Sequence, residues 1–149
     1  SLQPPYSMIR RGAEDELLGF CARNDISVVV YSPMASGMLT GKYNAESIAK
    51  LADDDWRKTM NGDFKEPKLS ANLQLIDGLR PIAQKYDRTV AQLAIAWCLR
   101  RSEVTSAIVG ARRPGQMIET SKAMGWKLDD RDLETIEELL SARKKQIKD

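Results

Sequence analysis

Two short β-branched runs, at residues 26–32 and 105–109, constrain the fold more than any other feature of the sequence. The first run is typical of a strand buried on both faces in a parallel sheet, and the second predicts another short strand that ends at Gly110. Helical patterns lie before, between and after them, which is the order of an α/β protein. Two parallel strands, even with a third remnant at residues 1–3, cannot cover the faces and edges of a sheet. We therefore expect this chain to be part of a larger barrel or sheet.

Apolar residues at spacings of three or four predict the helices. Pro81 removes one backbone donor, so we expect it to kink or restart the helix that contains it, and Tyr86 is expected in the core. The segment 34–67 is irregular and much longer than the usual connection of about 4–6 residues, which indicates a functional loop with a short helix. The predicted helices cover residues 13–24, 69–86, 89–100, 114–125 and about 129–147.

Charge and hydropathy exclude several classes of protein. The chain has 23 Lys and Arg against 21 Asp and Glu, and its paired arginines are scattered, so we expect no nucleic-acid partner. No apolar run approaches the roughly 20 residues of a membrane span, so we expect no membrane protein. Histidine is absent, which excludes imidazole chemistry by this chain alone and any metal site built on it. Two isolated cysteines and an amino terminus unlike a signal peptide predict a cytoplasmic protein.

A glycine-rich stretch from Gly37 to Tyr43 follows the first predicted strand. It has three residues between its glycines where a P-loop has four, and Tyr43 stands where a P-loop has Ser or Thr. A P-loop-like phosphotransferase is therefore a rival rather than the preferred interpretation. Glycines, hydroxyls and Lys42 at the carboxyl end of a strand are suited to an anion. The alternative is a flexible loop with a solvated lysine.

A second candidate site begins at Gly110, directly after the second predicted strand. Backbone amides at the start of the following helix favour an anion, and Arg112 can grip a phosphate with two hydrogen bonds. Gln116 and Glu119 lie on one face of that helix. The alternative is that these arginines are ordinary surface charge.

Taken together, four segments in order resemble the carboxy-terminal half of an aldo-keto reductase. The resemblance runs from the first residue to about Leu140 and implies the carboxy-terminal portion of a (β/α)8 TIM barrel. Residues 1–3 would end strand six, and 26–32 and 105–109 would be strands seven and eight, in one partial domain over 1–149. The segments are Gln3-Pro-Pro-Tyr-Ser with Arg10 and Glu14, Val30-Tyr-Ser-Pro-Met with Gly37-Met-Leu-Thr-Gly-Lys42, Gln92-Leu-Ala-Ile-Ala-Trp97, and Ala107-Ile-Val-Gly-Ala-Arg112 with Gln116 and Glu119.

The resemblance also implies where an NADPH cofactor would bind. Gln3 would hydrogen-bond the nicotinamide carboxamide, and Tyr31 would stack on the ring. Arg112 would hold the 2′-phosphate, with Arg57 as a second charge, whereas Thr120 departs from the family's usual asparagine at adenine. The remaining implied contacts are Ser32, Pro33, Met34, Ser36 and Lys42 at the pyrophosphate, and Gly110, Gln116 and Glu119 at the adenosine end.

The family's proton donor and its helpers match no part of this sequence, so we predict no catalytic residue here. The resemblance implies an oxidoreductase that reduces aldehydes or ketones with NADPH, and this chain alone is expected to be inactive. Its partners would be a small carbonyl substrate in the intact enzyme and either the amino-terminal half-barrel or a second copy joined at exposed strand edges. The alternative function is a non-catalytic nucleotide-binding or assembly module.

Overall fold

The computed structural model describes residues 1–148 and contains helices in the predicted order around two strands. It divides into two compact units. We call Ser1–Ala35 with Ala91–Leu128 the sheet unit, and Ser36–Val90 with the residues from Asp129 onward the helical unit. A single partial domain over 1–149 stays a prediction, and Asp149 lies outside the described residues. The elements are α1 (Leu17–Arg23), β1 (Val28–Tyr31), α2 (Ala45–Ala49), α3 (Trp56–Thr59), α4 (Lys68–Lys85), α5 (Val90–Leu99), β2 (Val104–Ile108), α6 (Pro114–Ser121) and α7 (Asp130–Lys148).

The sheet unit contains a parallel pair of strands, β1 and β2, in which Tyr31 is opposite Ile108. The amino-terminal segment joins the other edge of β1 through parallel bridges at Leu2 and Pro5. The predicted α/β class is therefore confirmed, and both β-branched runs form strands. That the sheet is part of a barrel stays a prediction.

The core of the sheet unit forms around α5, whose residues 91–98 are all buried. Trp97 is fully buried and stacks on Tyr6, with ring centroids 5.4 Å apart. A second apolar group joins Ile95 and Ala96 to Ala123 of the segment after α6. The predicted helix at 89–100 is thus the central element of this unit.

The helical unit is built on α4 and α7, which pack against each other through Leu79, Ile136 and their neighbours. The expected restart at Pro81 is wrong, since α4 continues from Lys68 to Lys85. Pro81 is exposed, so the carbonyl that loses its donor is open to solvent.

Within the helical unit, residues 36–67 hold more structure than the single short helix expected from the sequence. Helices α2 and α3 are each capped by a side chain: Asn44 accepts from the Ser47 amide, and Asp55 accepts from the Arg57 amide. A 3-10 turn at Gly62–Phe64 is capped by Asn61. These caps supply partners for backbone amides that a short helix leaves unpaired.

Tyr86 is not the core residue that the sequence predicted. It is only half-buried, and its hydroxyl donates to Asp129 at 2.7 Å and to Asp132 at 2.6 Å. Hydrogen bonds to these carboxylates raise the pKa of Tyr86 to about 12. The polar end of the tyrosine therefore determines its place, at the junction of α4 and α7.

Within residues 1–148, no helix is long and apolar enough to cross a bilayer. The same residues contain no group of acidic, cysteine or histidine side chains arranged to hold a metal ion.

Candidate functional site

The candidate site of the sheet unit lies where its three parallel segments end. Tyr31 donates its amide to the Pro4 carbonyl at 3.1 Å, and Tyr6 donates to the Tyr31 carbonyl at 3.1 Å. Pro5 is therefore opposite the last residue of β1, with Gln3 two residues earlier in the same segment, and Gly110 follows the carboxyl end of β2. Tyr31 is 40% exposed there. An exposed aromatic face at the carboxyl ends of parallel strands is suited to a flat ligand.

The chain turns sharply after β1. Ser32 and Ala35 both have positive φ, at 57° and 48°, although neither is glycine. Such residues cost about 1–3 kcal/mol each and concentrate at functional sites. Pro33 is buried, and Met34 packs on the apolar group around Ile95. This turn presents the Ser32 hydroxyl and nearby backbone at the same edge as Tyr31.

The loop between β2 and α6 contains Arg112. Its backbone is fixed by Gln116, whose side-chain oxygen accepts the amides of Arg112 at 2.7 Å and Arg113 at 3.2 Å. The Arg112 side chain is exposed, and its guanidinium makes no hydrogen bond or ion pair with any residue from 1 to 148. Glu119 of α6 accepts a hydrogen bond at its carbonyl from the Gln92 side chain at 2.7 Å. The loop is thus held by its own helix while the Arg112 charge stays available.

In the helical unit, Lys42 and Arg57 differ in what they can offer to a ligand. Lys42 is exposed, and its ammonium has no partner among the described residues. The Arg57 guanidinium donates to Asp55 at 2.8 and 2.5 Å and to the Tyr43 hydroxyl at 2.5 Å. The hydrogen bonds to Asp55 raise the pKa of Arg57. Its charge is already paired, which reduces its attraction for a phosphate.

The predicted contacts therefore fall into two sets. Ser36, Lys42 and Arg57 belong to the helical unit. The sheet unit holds the other nine, which lie at its carboxyl edge, in the turn after β1, or on the loop and helix that follow β2: Gln3, Tyr31, Ser32, Pro33, Met34, Gly110, Arg112, Gln116 and Glu119.

A polar cluster that the sequence analysis did not identify holds the Tyr6 hydroxyl. The Tyr6 hydroxyl donates to Glu14 and accepts from Arg100 at 3.0 Å, and Arg11 pairs with Glu14 at 2.7 Å. Burial, followed by the bond to Glu14, raises the pKa of Tyr6. Burial would also raise the pKa of Glu14, but hydrogen bonds from Tyr6 and Arg11 lower it below its ordinary value. The i, i+3 spacing of Arg11 and Glu14 was the available signal.

Comparisons with known proteins agree with this arrangement. A model of the aldo/keto reductase family matches residues 1–141. A probable voltage-gated potassium channel subunit beta of Arabidopsis thaliana is 38% identical over 126 residues, which are 82% of this chain and 37% of that protein. An NADH-specific methylglyoxal reductase of Escherichia coli is 31% identical over 143 residues, 95% of this chain and 42% of that protein.

A solved glycerol dehydrogenase of Gluconobacter oxydans superimposes with a TM-score of 0.86 and 28% identity, over 95% of this chain and 42% of that structure. The chain thus spans about two fifths of the length of these relatives.

Proposed function

Because the chain belongs to the aldo/keto reductase family, we propose that it is the carboxy-terminal, cofactor-binding part of a (β/α)8-barrel reductase of aldehydes or ketones. The observation that carries the proposal is that the segment after Gln3, Tyr31 and the Gly110 loop come together at the carboxyl ends of parallel strands. In open and closed α/β folds, ligands bind at the carboxyl ends of the strands.

The residues present fit a nicotinamide dinucleotide. Tyr31 offers an exposed ring for the nicotinamide, and the Gln3 amide, on the segment that pairs with β1, would orient the carboxamide. Arg112 offers an unpaired guanidinium for a phosphate, on a loop already fixed by Gln116. A bound reduced nicotinamide would supply the hydride.

The other proposed contacts divide between the pyrophosphate and the adenosine end. Ser32, Ser36 and Lys42 would face the pyrophosphate, with Pro33 and Met34 shaping the turn. Gly110, Gln116 and Glu119 would face the adenosine end, whereas Arg57, implied by the resemblance as a second charge, is already paired with Asp55.

Cofactor choice is a separate part of the proposal. One relative is named as NADH-specific, so membership of the family does not by itself select NADPH. The preference for NADPH rests on Arg112, because a guanidinium recognises a 2′-phosphate that NADH lacks.

The proposal includes a partner for the sheet unit. Ile108, Met117 and Ile118 are 45%, 49% and 66% exposed. Ile108 belongs to β2 and the two others to α6, and exposed apolar side chains of this size favour association. We propose that the remainder of a barrel, or a second copy of this chain, covers them. A purely non-catalytic nucleotide-binding module would use the same surface.

The two buried, unpaired cysteines favour a cytoplasmic location.

A titration of the purified chain with NADPH and NADH tests the proposal. Trp126 packs on the same apolar group as Met34 and Val109, so its fluorescence reports on binding at the carboxyl ends of the strands. We expect saturable quenching by NADPH, strongly reduced in Tyr31→Ala and unchanged in Arg23→Gln at the end of the helix before β1. Tighter binding of MgATP, or no binding of either dinucleotide, would contradict the proposal.

Activity provides the second test. No described residue matches the family's proton donor, so the chain mixed with NADPH and a reactive aldehyde is expected to oxidise no more cofactor than a protein-free control. Clear turnover would show that this chain holds a general acid of its own.

A further inference from the structure

The residues that flank Lys42 in the sequence are each held by hydrogen bonds. The Lys42 ammonium itself has no partner within residues 1–148. The Thr40 hydroxyl donates to the Gly37 carbonyl at 2.6 Å and accepts the Lys42 amide at 3.3 Å. This closes a tight turn whose only exposed charge is the lysine. The backbone that presents Lys42 is therefore fixed independently of any ligand.

Arg80 of α4 fixes the residue before Lys42. Its guanidinium donates to the Gly41 carbonyl at 2.9 Å. Gly41 has a φ of 71°, and a Cβ there would lie 3.2 Å from an Arg80 nitrogen. The positive φ favours glycine at this position.

Tyr43 is fixed on the other side of Lys42. Its hydroxyl accepts from Arg57 at 2.5 Å, and the Arg57 guanidinium is paired with Asp55 at 2.5 Å. The side chains of Arg57 and Asp55 are only 17% and 15% exposed. The Tyr43 ring also packs edge-on against Phe64, and a Cβ on Gly37 would lie 3.3 Å from that ring. The Tyr43 side chain is thus held both by a hydrogen bond and by ring packing.

We propose that Arg80 and the Tyr43–Arg57 pair are positioning residues that hold Lys42 ready for a pyrophosphate. The inference rests on the proposed function and assigns to Arg57 a role through Tyr43 rather than a direct contact with the cofactor. Binding a ligand orders both the Lys42 side chain and the backbone that carries it, and a backbone that is already fixed removes the second cost.

A double-mutant cycle on the full chain tests the inference, with dissociation constants for NADPH and for adenosine 2′-monophosphate, which lacks the pyrophosphate. Lys42→Gln is expected to weaken NADPH binding roughly 10-fold or more, since it removes a charged hydrogen bond. Arg80→Gln and Tyr43→Phe are each expected to weaken it about 3- to 10-fold. Neither should weaken it further when Lys42 is already glutamine.

Adenosine 2′-monophosphate binding should be unchanged in all these variants, and Arg131→Gln on the exposed face of α7 is the matched control. Tyr43→Phe keeps the ring packing, so it remains informative if Arg80→Gln unfolds the chain. Equal losses with and without Lys42, equal losses for both ligands, or wild-type affinity in Arg80→Gln and Tyr43→Phe would overturn this inference alone. Failure of the wild-type chain to bind either ligand would overturn the proposed function and this inference with it.

Discussion

The arginines of this chain differ in whether their charge is already paired. Arg112 is unpaired within the described residues, whereas Arg57 is paired with Asp55 and Arg100 with the Glu14 cluster. An unpaired guanidinium can bind a phosphate without first breaking an existing ion pair. The family resemblance implied both Arg57 and Arg112 as contacts, but only the folded chain shows that Arg57 is already paired with Asp55.

Replacement of Arg112 by glutamine tests the choice of cofactor. The change removes the charge while Gln116 still holds the loop backbone, so we expect NADPH to bind roughly 10-fold or more weakly, as for loss of a charged hydrogen bond. NADH binding should change little, because it has no 2′-phosphate. Fluorescence titration of both cofactors measures this, and an equal loss for both would refute the assignment.

The Glu14 cluster predicts how stability depends on acid. The folded state lowers the pKa of Glu14, so its stabilising effect is present above the ordinary glutamate pKa of about 4.3 and is lost as pH falls through the folded value. We expect Glu14→Gln to lower the free energy of unfolding at pH 7 and to reduce its decline between pH 6 and 3. Urea denaturation at several pH values measures both.

Glu138→Gln, on the exposed side of α7, is the control for the general loss of a carboxylate. If Glu14→Gln and Glu138→Gln change the pH dependence equally, the cluster around Tyr6 contributes nothing specific.

At the scale of elements, α4 and α7 meet closely at Gly78. A Cβ on Gly78 would lie 2.5 Å from one Leu139 methyl and 3.0 Å from the other. Alanine favours a helix over glycine by up to about 1 kcal/mol, but overpacking costs about 1–3 kcal/mol. The second effect should be the larger, because the Leu139 side chain has to move as a whole.

Gly78→Ala is therefore expected to lower the midpoint of thermal unfolding. Leu139→Ala shortens the side chain that a Cβ on Gly78 would overlap. It should therefore be less destabilising in the Gly78→Ala chain than in the wild type, because it relieves the overlap. Gly115→Ala in α6, where a Cβ meets nothing within 4 Å, is the matched control and should be neutral or stabilising. Stabilisation by Gly78→Ala would show that the helices separate at little cost.

Much of the element order was predictable from the sequence, because β-branched runs and helical periodicity depend on local patterns. The single-helix expectation for 34–67 failed because the caps at Asn44, Asp55 and Asn61 stabilise helices too short to show a period. Tyr86 was misassigned because periodicity finds an apolar face but not the carboxylates that hold the hydroxyl.

For the candidate site, the sequence predicted residue types but not their orientation. Gln116 was predicted to contact a cofactor, yet its oxygen accepts two amides of its own loop. A single sequence does not distinguish a side chain that faces a ligand from one that caps its own backbone.

At the scale of the whole molecule, the chain is two compact units that match about two fifths of its relatives' length. The sheet unit holds Gln3, Tyr31 and Arg112, and the helical unit holds Lys42. The central claim is that a nicotinamide dinucleotide binds at the carboxyl edge of the sheet.

Two-dimensional NMR of the ¹⁵N-labelled chain, titrated with NADPH, tests that claim most directly. We expect the largest amide shifts at Gln3, Tyr31, Ser32 and Gly110, whereas Asn24, before the amino end of β1, should stay unchanged. Shifts concentrated on the exposed acidic face of α7, or an unchanged spectrum at millimolar NADPH, would contradict it.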